Sequence, residues 1–288
     1  MSELATIHSL PALEDPVLVV AMEGWIDAGL AAATATAALL ETMPHQLLAT
    51  FDGDALIDHR ARRPVLRIVN GVHSGLHWPE IRLQAATSRG GRSVLLLVGP
   101  EPDMRWHQFT AEVVALAQRF GVTQVIGLGA FPAPVPHTRP IRLAATASTA
   151  ELAAEVGFLP VTIDVPAGAQ AALEHAFGEA GMPAVGLWAR VPHYVSAMPY
   201  PAAAAALVEE MGRLAHVEVD TKALTAAGQS TFAQVEQLVA ASEEHAAMVR
   251  QLESQHDAEA EAPPAPFGPL PSGDELAAEL ERFLRGQG

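Results

Sequence analysis

The feature that most constrains this chain is an alternation running through its first 200 residues. Short apolar runs rich in Val, Ile and Leu are each followed by a polar loop, and most of these loops lead into a segment of helical composition. Residues 17–22 form a continuous apolar run between Pro16 and Gly24, the pattern of a strand buried on both faces. Residues 30–43 follow as an Ala- and Leu-rich helix closed by Pro44. Further strands are expected at 47–51, 65–69, 94–98, 124–128, 141–145, 161–165 and 185–189, and further helices at 104–120, 150–155 and 169–180. Asn70-Gly71 to Gly75 reads as a turn, after which 76–85 returns as a strand, so at least one strand is antiparallel. The alternation predicts an α/β protein, a three-layer α/β/α arrangement around a mostly parallel sheet. In such a sheet the loops after the parallel strands gather along one edge, where ligands and partners bind.

Beyond residue 200 the strand signals stop. Residues 202–214 are helical in composition, and 231–255 place Phe232, Val235, Val239, Ser242, Ala246 and Val249 at the spacing of a helix seam. Residues 257–271 turn acidic and then proline-rich, as a linker does. After them Ser272-Gly273-Asp274-Glu275 matches a capping box, and Leu276, Leu280, Phe283 and Leu284 line one face of a short helix. The organisation predicted is a core at 1–200, a helical region at 201–256, a linker at 257–273 and a docking helix with tail at 274–288. So short a helix is marginal alone, so it should dock on its own domain or on a neighbouring subunit.

Composition removes several classes of function. The chain of 288 residues has no cysteine, which excludes disulfides, thiolate zinc sites and cysteine nucleophiles together. Its formal charge is −16 and Lys222 is its single lysine, a poor surface for nucleic acid or for anionic membrane. No apolar run reaches the roughly 20 residues of a membrane span, and Met1-Ser2-Glu3-Leu4 lacks a signal-peptide layout, so a cytoplasmic protein is expected.

Four strand-end loops carry the chemistry: Glu23-Gly24-Trp25-Ile26-Asp27-Ala28-Gly29, the run from Gly99 to Trp106, Pro136-His137-Thr138-Arg139-Pro140, and Val191-Pro192-His193-Tyr194. Gly24 and Gly29 have the spacing of a phosphate loop's outer glycines, but Leu30-Ala31 stand where lysine and a hydroxyl residue are needed. Asp27 instead suits a helix cap, and so does Asp103. Gly127-Leu128-Gly129 begins like a dinucleotide fingerprint, yet Pro132 follows and no helix opens to hold a pyrophosphate. Asp27 with Glu101 could form a carboxylate pair for acid–base work or cation binding. His137 and His193 lack the close spacing of metal ligands; hydrogen bonds to loop backbone are expected for them, with Arg139 pairing a nearby carboxylate. No Gly-x-Ser-x-Gly elbow occurs in the chain.

Read together, the loops resemble the proteasome assembly chaperone 2 family, its actinobacterial members above all. The matching residues are Gly24 to Gly29, Asp52 to Arg63 with Arg62-Arg63-Pro64, Gly99-Pro100-Glu101-Pro102 with Trp106, and Leu128-Gly129-Ala130. They continue with Pro136 to Pro140, Leu187-Trp188-Ala189, Pro192-His193-Tyr194-Val195 and Pro271 to Leu276. The resemblance implies a core similar to nucleoside phosphorylases and related hydrolases with an added helical C-terminal part, self-association as an oligomer with a trimer favoured, and a role with proteasome subunits. Relatives that dock onto the proteasome core use a C-terminal hydrophobic–tyrosine–any-residue tail, whereas this sequence ends Arg285-Gly286-Gln287-Gly288. The family supplies no catalytic residues and implies no cofactor.

Two readings follow. The first is a non-enzymatic oligomeric scaffold or assembly-chaperone-like protein. The alternative is a binder of, or enzyme on, nucleoside-like small molecules, with a pocket drawn from Trp25, Asp27, Glu101, Trp106, His137, Arg139, His193 and Tyr194.

Overall fold

A computed structural model describes residues 4–261. The elements in chain order begin with β1 (Ala5–Ile7), β2 (Val17–Glu23), α1 (Ala31–Thr42), β3 (His45–Phe51) and the single turn α2 (Gly53–Leu56). A hairpin of β4 (Val65–Val69) and β5 (Val72–His77) precedes β6 (Arg82–Thr87), β7 (Ser93–Pro100) and α3 (Trp106–Arg119). Then come β8 (Gln124–Ala133), β9 (Leu143–Ala147), α4 (Ala150–Val156), α5 (Ala169–Glu179) and β10 (Ala184–Pro192). Three helices close the described chain: α6 (Pro201–Ala215), α7 (Lys222–Ala240) and α8 (Glu243–Glu261). The chain divides into two compact units, Met1–Glu253 and Ser254–Gly288. The expected capping box at Ser272 and the helix at 274–288 lie outside the described residues.

The first unit is built on an eight-stranded sheet in the order β1-β3-β6-β7-β2-β8-β10-β9. Its centre is parallel, with β2 between β7 and β8, and β10 beside β8. The flanking strands β6, β3, β1 and β9 all join antiparallel around that parallel centre. Because side chains alternate along a strand, each central strand feeds two cores. Val17 and Val19 of β2 pack in a cluster with α1 and α6, while Leu18 and Val20 pack with Phe109, Val113 and Leu116 of α3 and Leu173 and Phe177 of α5. The α/β/α layering expected from the sequence is thereby present.

Several local expectations need correction. The strand expected at 76–85 is two strands, β5 and β6, interrupted around Pro79, which has no amide hydrogen to give a ladder. The turn of the β4–β5 hairpin is the tight pair Asn70-Gly71, both at positive φ, and Gly75 belongs to β5 opposite Arg67. The strand expected at 161–165 is absent: residues 157–168 run from α4 to α5 without joining a ladder. The single helix expected at 231–255 is broken at Ala241–Ser242, where the Ser242 hydroxyl accepts from His245 N–H and starts α8 as an N-cap. α8 runs to Glu261, into the stretch expected as linker.

Candidate functional site

The C-terminal ends of the four parallel strands lie on one edge of the sheet, so the four loops meet there as expected. The loops after β2, β7 and β10 are joined through the backbone, and the first of them is bridged to strand β8 itself. Glu101 N–H donates to Glu23 O at 2.6 Å, joining the loops after β2 and β7. Asp27 forms a parallel bridge with Ala130 of β8. Gly29 N–H donates to Ser196 O at 2.7 Å and Tyr200 N–H donates to Gly29 O at 2.8 Å, joining the loops after β2 and β10.

The two carboxylates of the supposed catalytic pair are each engaged on a helix N-terminus. Asp27 reaches past a short 3-10 turn, Ala28–Leu30, to α1, where its Oδ1 accepts from Ala32 N–H at 2.8 Å and its Oδ2 from Ala33 N–H at 3.0 Å. Glu101 Oε2 accepts from Ala169 N–H, the first amide of α5, at 3.0 Å. Both satisfy otherwise orphaned donors and place negative charge at the positive end of a helix dipole. Asp103 is not the cap of α3, as the sequence suggested: that position is Arg105, in the left-handed region with φ 59°. Asp103 accepts instead from Asp58 N–H at 2.8 Å and pairs with Arg62 at 3.5 Å. Arg62 also donates to Glu101 O at 2.8 Å, so one guanidinium fastens the post-α2 segment to this loop. Gly24 has φ +127°, and a Cβ there would stand 2.8 Å from Arg62 Nη2 and 3.0 Å from Glu101 Cγ. Its glycine thus serves a close approach of side chains, not a phosphate.

His137, Arg139 and Tyr194 form a second group. The His137 side chain is fully buried, and its Nδ1 lies 2.7 Å from Tyr194 Oη while its Nε2 lies 2.8 Å from Glu236 Oε1 in α7. Tyr194 Oη also accepts from His137 N–H at 2.8 Å. Counting donors assigns the protons: Tyr194 O–H donates to Nδ1, and Nε2–H donates to the Glu236 carboxylate. Burial pushes the Tyr194 phenol up to about 12, which keeps it a donor. Phe232 of α7 packs against the imidazole with ring centroids 5.4 Å apart. Arg139 meets Glu253 Oε1 of α8 at 3.1 Å, the carboxylate pairing expected of it, and Thr138 Oγ1 donates to the same oxygen at 2.5 Å. The partners Glu236 and Glu253 come from helices about 100 residues later, and nothing in their local sequence marks them out.

The remaining candidates are His193, Trp25 and Trp106. His193 is exposed, its ring at the edge of Tyr194 with centroids 5.4 Å apart. Trp25 lies against Gly168 and is 54% exposed. Trp106 is the first residue of α3 and is partly buried. Among the described residues no three His, Asp or Glu side chains are grouped so as to hold a metal ion. A cavity of about 280 Å³ opens at the opposite edge of the sheet, between the end of α1, Thr87–Arg89 and Glu218–Asp220.

The Gly127-Leu128-Gly129 run has a packing role. Trp188 of β10 is the register partner of Gly129 in β8, and a Cβ on that glycine would stand 2.5 Å from the indole. The indole N–H donates to Thr146 Oγ1 at 3.0 Å, and Thr146 donates to Glu174 Oε2 at 2.9 Å. Burial raises the Glu174 carboxyl to about 7, against the opposing effect of the Thr146 hydrogen bond. Nothing in the sequence marks this residue, because a glutamate in an amphipathic helix gives no sign of burial.

The model of the PAC2 family matches residues 21–239. Among solved structures, the chain is similar to a protein of unknown function from Corynebacterium glutamicum, at 34% identity and TM-score 0.85 over 90% of this chain and 99% of that one. A protein of unknown function from Mycobacterium tuberculosis is 36% identical at TM-score 0.85, covering 91% of this chain and 93% of that one. A second from Mycobacterium tuberculosis, described as a proteasome-assembly chaperone homologue, is 37% identical at TM-score 0.76, covering 81% of this chain and 99% of that one. No curated protein matches. Among the described residues no helix is long and apolar enough to cross a membrane.

Proposed function

The chain belongs to the PAC2 family, and from that premise we propose that it is a non-enzymatic, self-associating assembly protein that engages proteasome subunits. The observation that carries this reading is the contrast between its two kinds of surface. At the sheet edge where an α/β enzyme would hold its substrate, Asp27 and Glu101 cap helices, and His137, Tyr194 and Arg139 are tied to Glu236 and Glu253. Large apolar side chains are exposed elsewhere, at Val65, Leu66, Ile68, Val69, Val72, Leu76 and Trp78 of the hairpin region. Contiguous exposed apolar surface marks a protein contact. The likeness to a proteasome-assembly chaperone homologue supplies the class of partner, and a homotrimer of cytoplasmic location is the form proposed.

The test is native mass analysis of the full chain alone and after co-expression with the proteasome core subunits of its source. A homo-oligomer that also captures unassembled core subunits is expected. A lone monomer that captures none would overturn the proposal. A saturable thermal shift with nucleosides, lost on Glu101→Gln, would instead favour the small-molecule reading of the four-loop edge.

A further inference from the structure

We propose that copies of this chain join head to tail by strand addition, β4 of the hairpin in one copy pairing with residues 161–165 of the next. This rests on the self-association proposed above and names its surfaces.

Among the described residues the two strands of the hairpin pair with each other alone. Such a hairpin is at best marginal by itself in water. Neighbouring residues Val65 and Leu66 are both exposed, at 67% and 41%, and successive side chains of a strand point to opposite faces, so the hairpin is apolar on both sides. An element lying on its own domain needs one apolar face; an arm inserted against a neighbour uses two.

The second surface is a strand sequence that pairs with no strand among the described residues. Val161, Ile163 and Val165 alternate with Thr162 and Asp164, the period of a half-buried strand, between Pro160 and Pro166. Yet residues 157–168 join no ladder, and Ile163 and Val165 are 64% and 66% exposed. Tertiary structure within one copy leaves unmet what the sequence was patterned for. The stretch between the two prolines is five residues long, as is β4. Pairing through free backbone edges with apolar side chains alternately buried is a recurrent mode of association.

Charge decides which surface meets which. Residues 60–79 hold no carboxylate in a chain of net charge −16, and besides Arg62, which is paired with Asp103, they carry Arg60, Arg63 and Arg67. Asp164 is the lone charged residue between 157 and 168. An arm placed on an arm would bring like charges together, whereas an arm on the 161–165 strip brings Arg67 toward Asp164. The contact is therefore between two different surfaces, and such contacts close into a ring when the rotation permits.

The chain has no cysteine of its own, so introduced ones report cleanly. Two full-length variants with different tags, one with Leu66→Cys or Val69→Cys and the other with Thr162→Cys or Ile163→Cys, so that both faces of each strand are sampled, are co-expressed and treated with a short bismaleimide. Four combinations keep a register slip from hiding the contact. These side chains are exposed, and circular dichroism checks that each variant is folded. A covalent product joining the two tags is expected, with none when either variant is expressed alone. Ile163→Asp is expected to reduce the native mass to that of one chain. A product from the hairpin variant alone would overturn the proposal in favour of arm-on-arm pairing. An intact oligomer with no mixed product would overturn it while leaving self-association standing; a monomeric parent chain would remove both.

Discussion

Nε2 of His137 lies 2.8 Å from Oε1 of Glu236, a contact between residues 99 positions apart that fixes the loop after β8 to helix α7. The imidazole is fully buried, and its other nitrogen, like its backbone amide, is held by Tyr194 Oη. A histidine that resembles a catalytic or metal-binding group in the sequence is thereby a joint between the α/β core and the C-terminal helices.

Tyr194→Phe removes the hydroxyl that accepts from His137 N–H and donates to Nδ1, leaving two buried polar groups without this partner. A loss of about 1–3 kcal/mol in unfolding free energy is expected. Urea denaturation measures it, and an unchanged midpoint would refute the joint.

Asp27→Ala leaves the amides of Ala32 and Ala33 without their carboxylate, at a cost of about 1–2 kcal/mol. Asp27→Asn, which keeps an acceptor oxygen, should cost less. If thermal unfolding instead ranks alanine as the milder change, capping is not what this residue does.

Glu174 gives a pH dependence with a definite sign. Its carboxyl is raised from 4.5 to about 7 in the folded chain, so its contribution favours folding fully below 4.5 and is lost as the pH rises through 7. Glu174→Gln keeps the shape and an acceptor for Thr146 but does not ionise. At pH 8.5 the variant should exceed the parent in stability by on the order of 2 kcal/mol, with the advantage vanishing near pH 5. Parallel denaturant titrations at the two pH values decide this; a difference independent of pH would contradict it.

Gly129→Ala sets a methyl group 2.5 Å from the Trp188 indole, within a sheet whose register cannot give way easily. Overpacking of this kind costs about 1–3 kcal/mol. Combining it with Trp188→Leu should cost less than the sum of the two single changes, because the residues share one space. Strict additivity in a double-mutant cycle would show that the indole is not the obstacle.

Much of the architecture was legible because it rests on local signals. The run 17–22, apolar at every position, could only be a strand covered on both faces, and Val17 and Val19 do enter one core while Leu18 and Val20 enter the other. Helix α5 and the glycine stop behind it were equally plain. The errors fell where a local pattern is neutral toward its context. Val161, Ile163 and Val165 have the right period for a strand, but a strand also needs an edge to pair with, and that is settled elsewhere in the fold. Ser242 fits a helix seam by position and interrupts it by hydrogen bonding, a choice that spacing alone cannot register.

The sequence by itself determined the α/β layering, the gathering of four loops at the ends of β2, β7, β8 and β10, and the lack of any thiol chemistry, since periodicity, chain order and composition are local quantities. Only the tertiary structure decided what those loops do. Whether Glu101 activates a substrate or caps α5, and whether His137 meets a metal or Glu236, depends on partners 68 and 99 residues away. Such partners are chosen by packing, and the residues that answer to them carry no mark of it in their own surroundings.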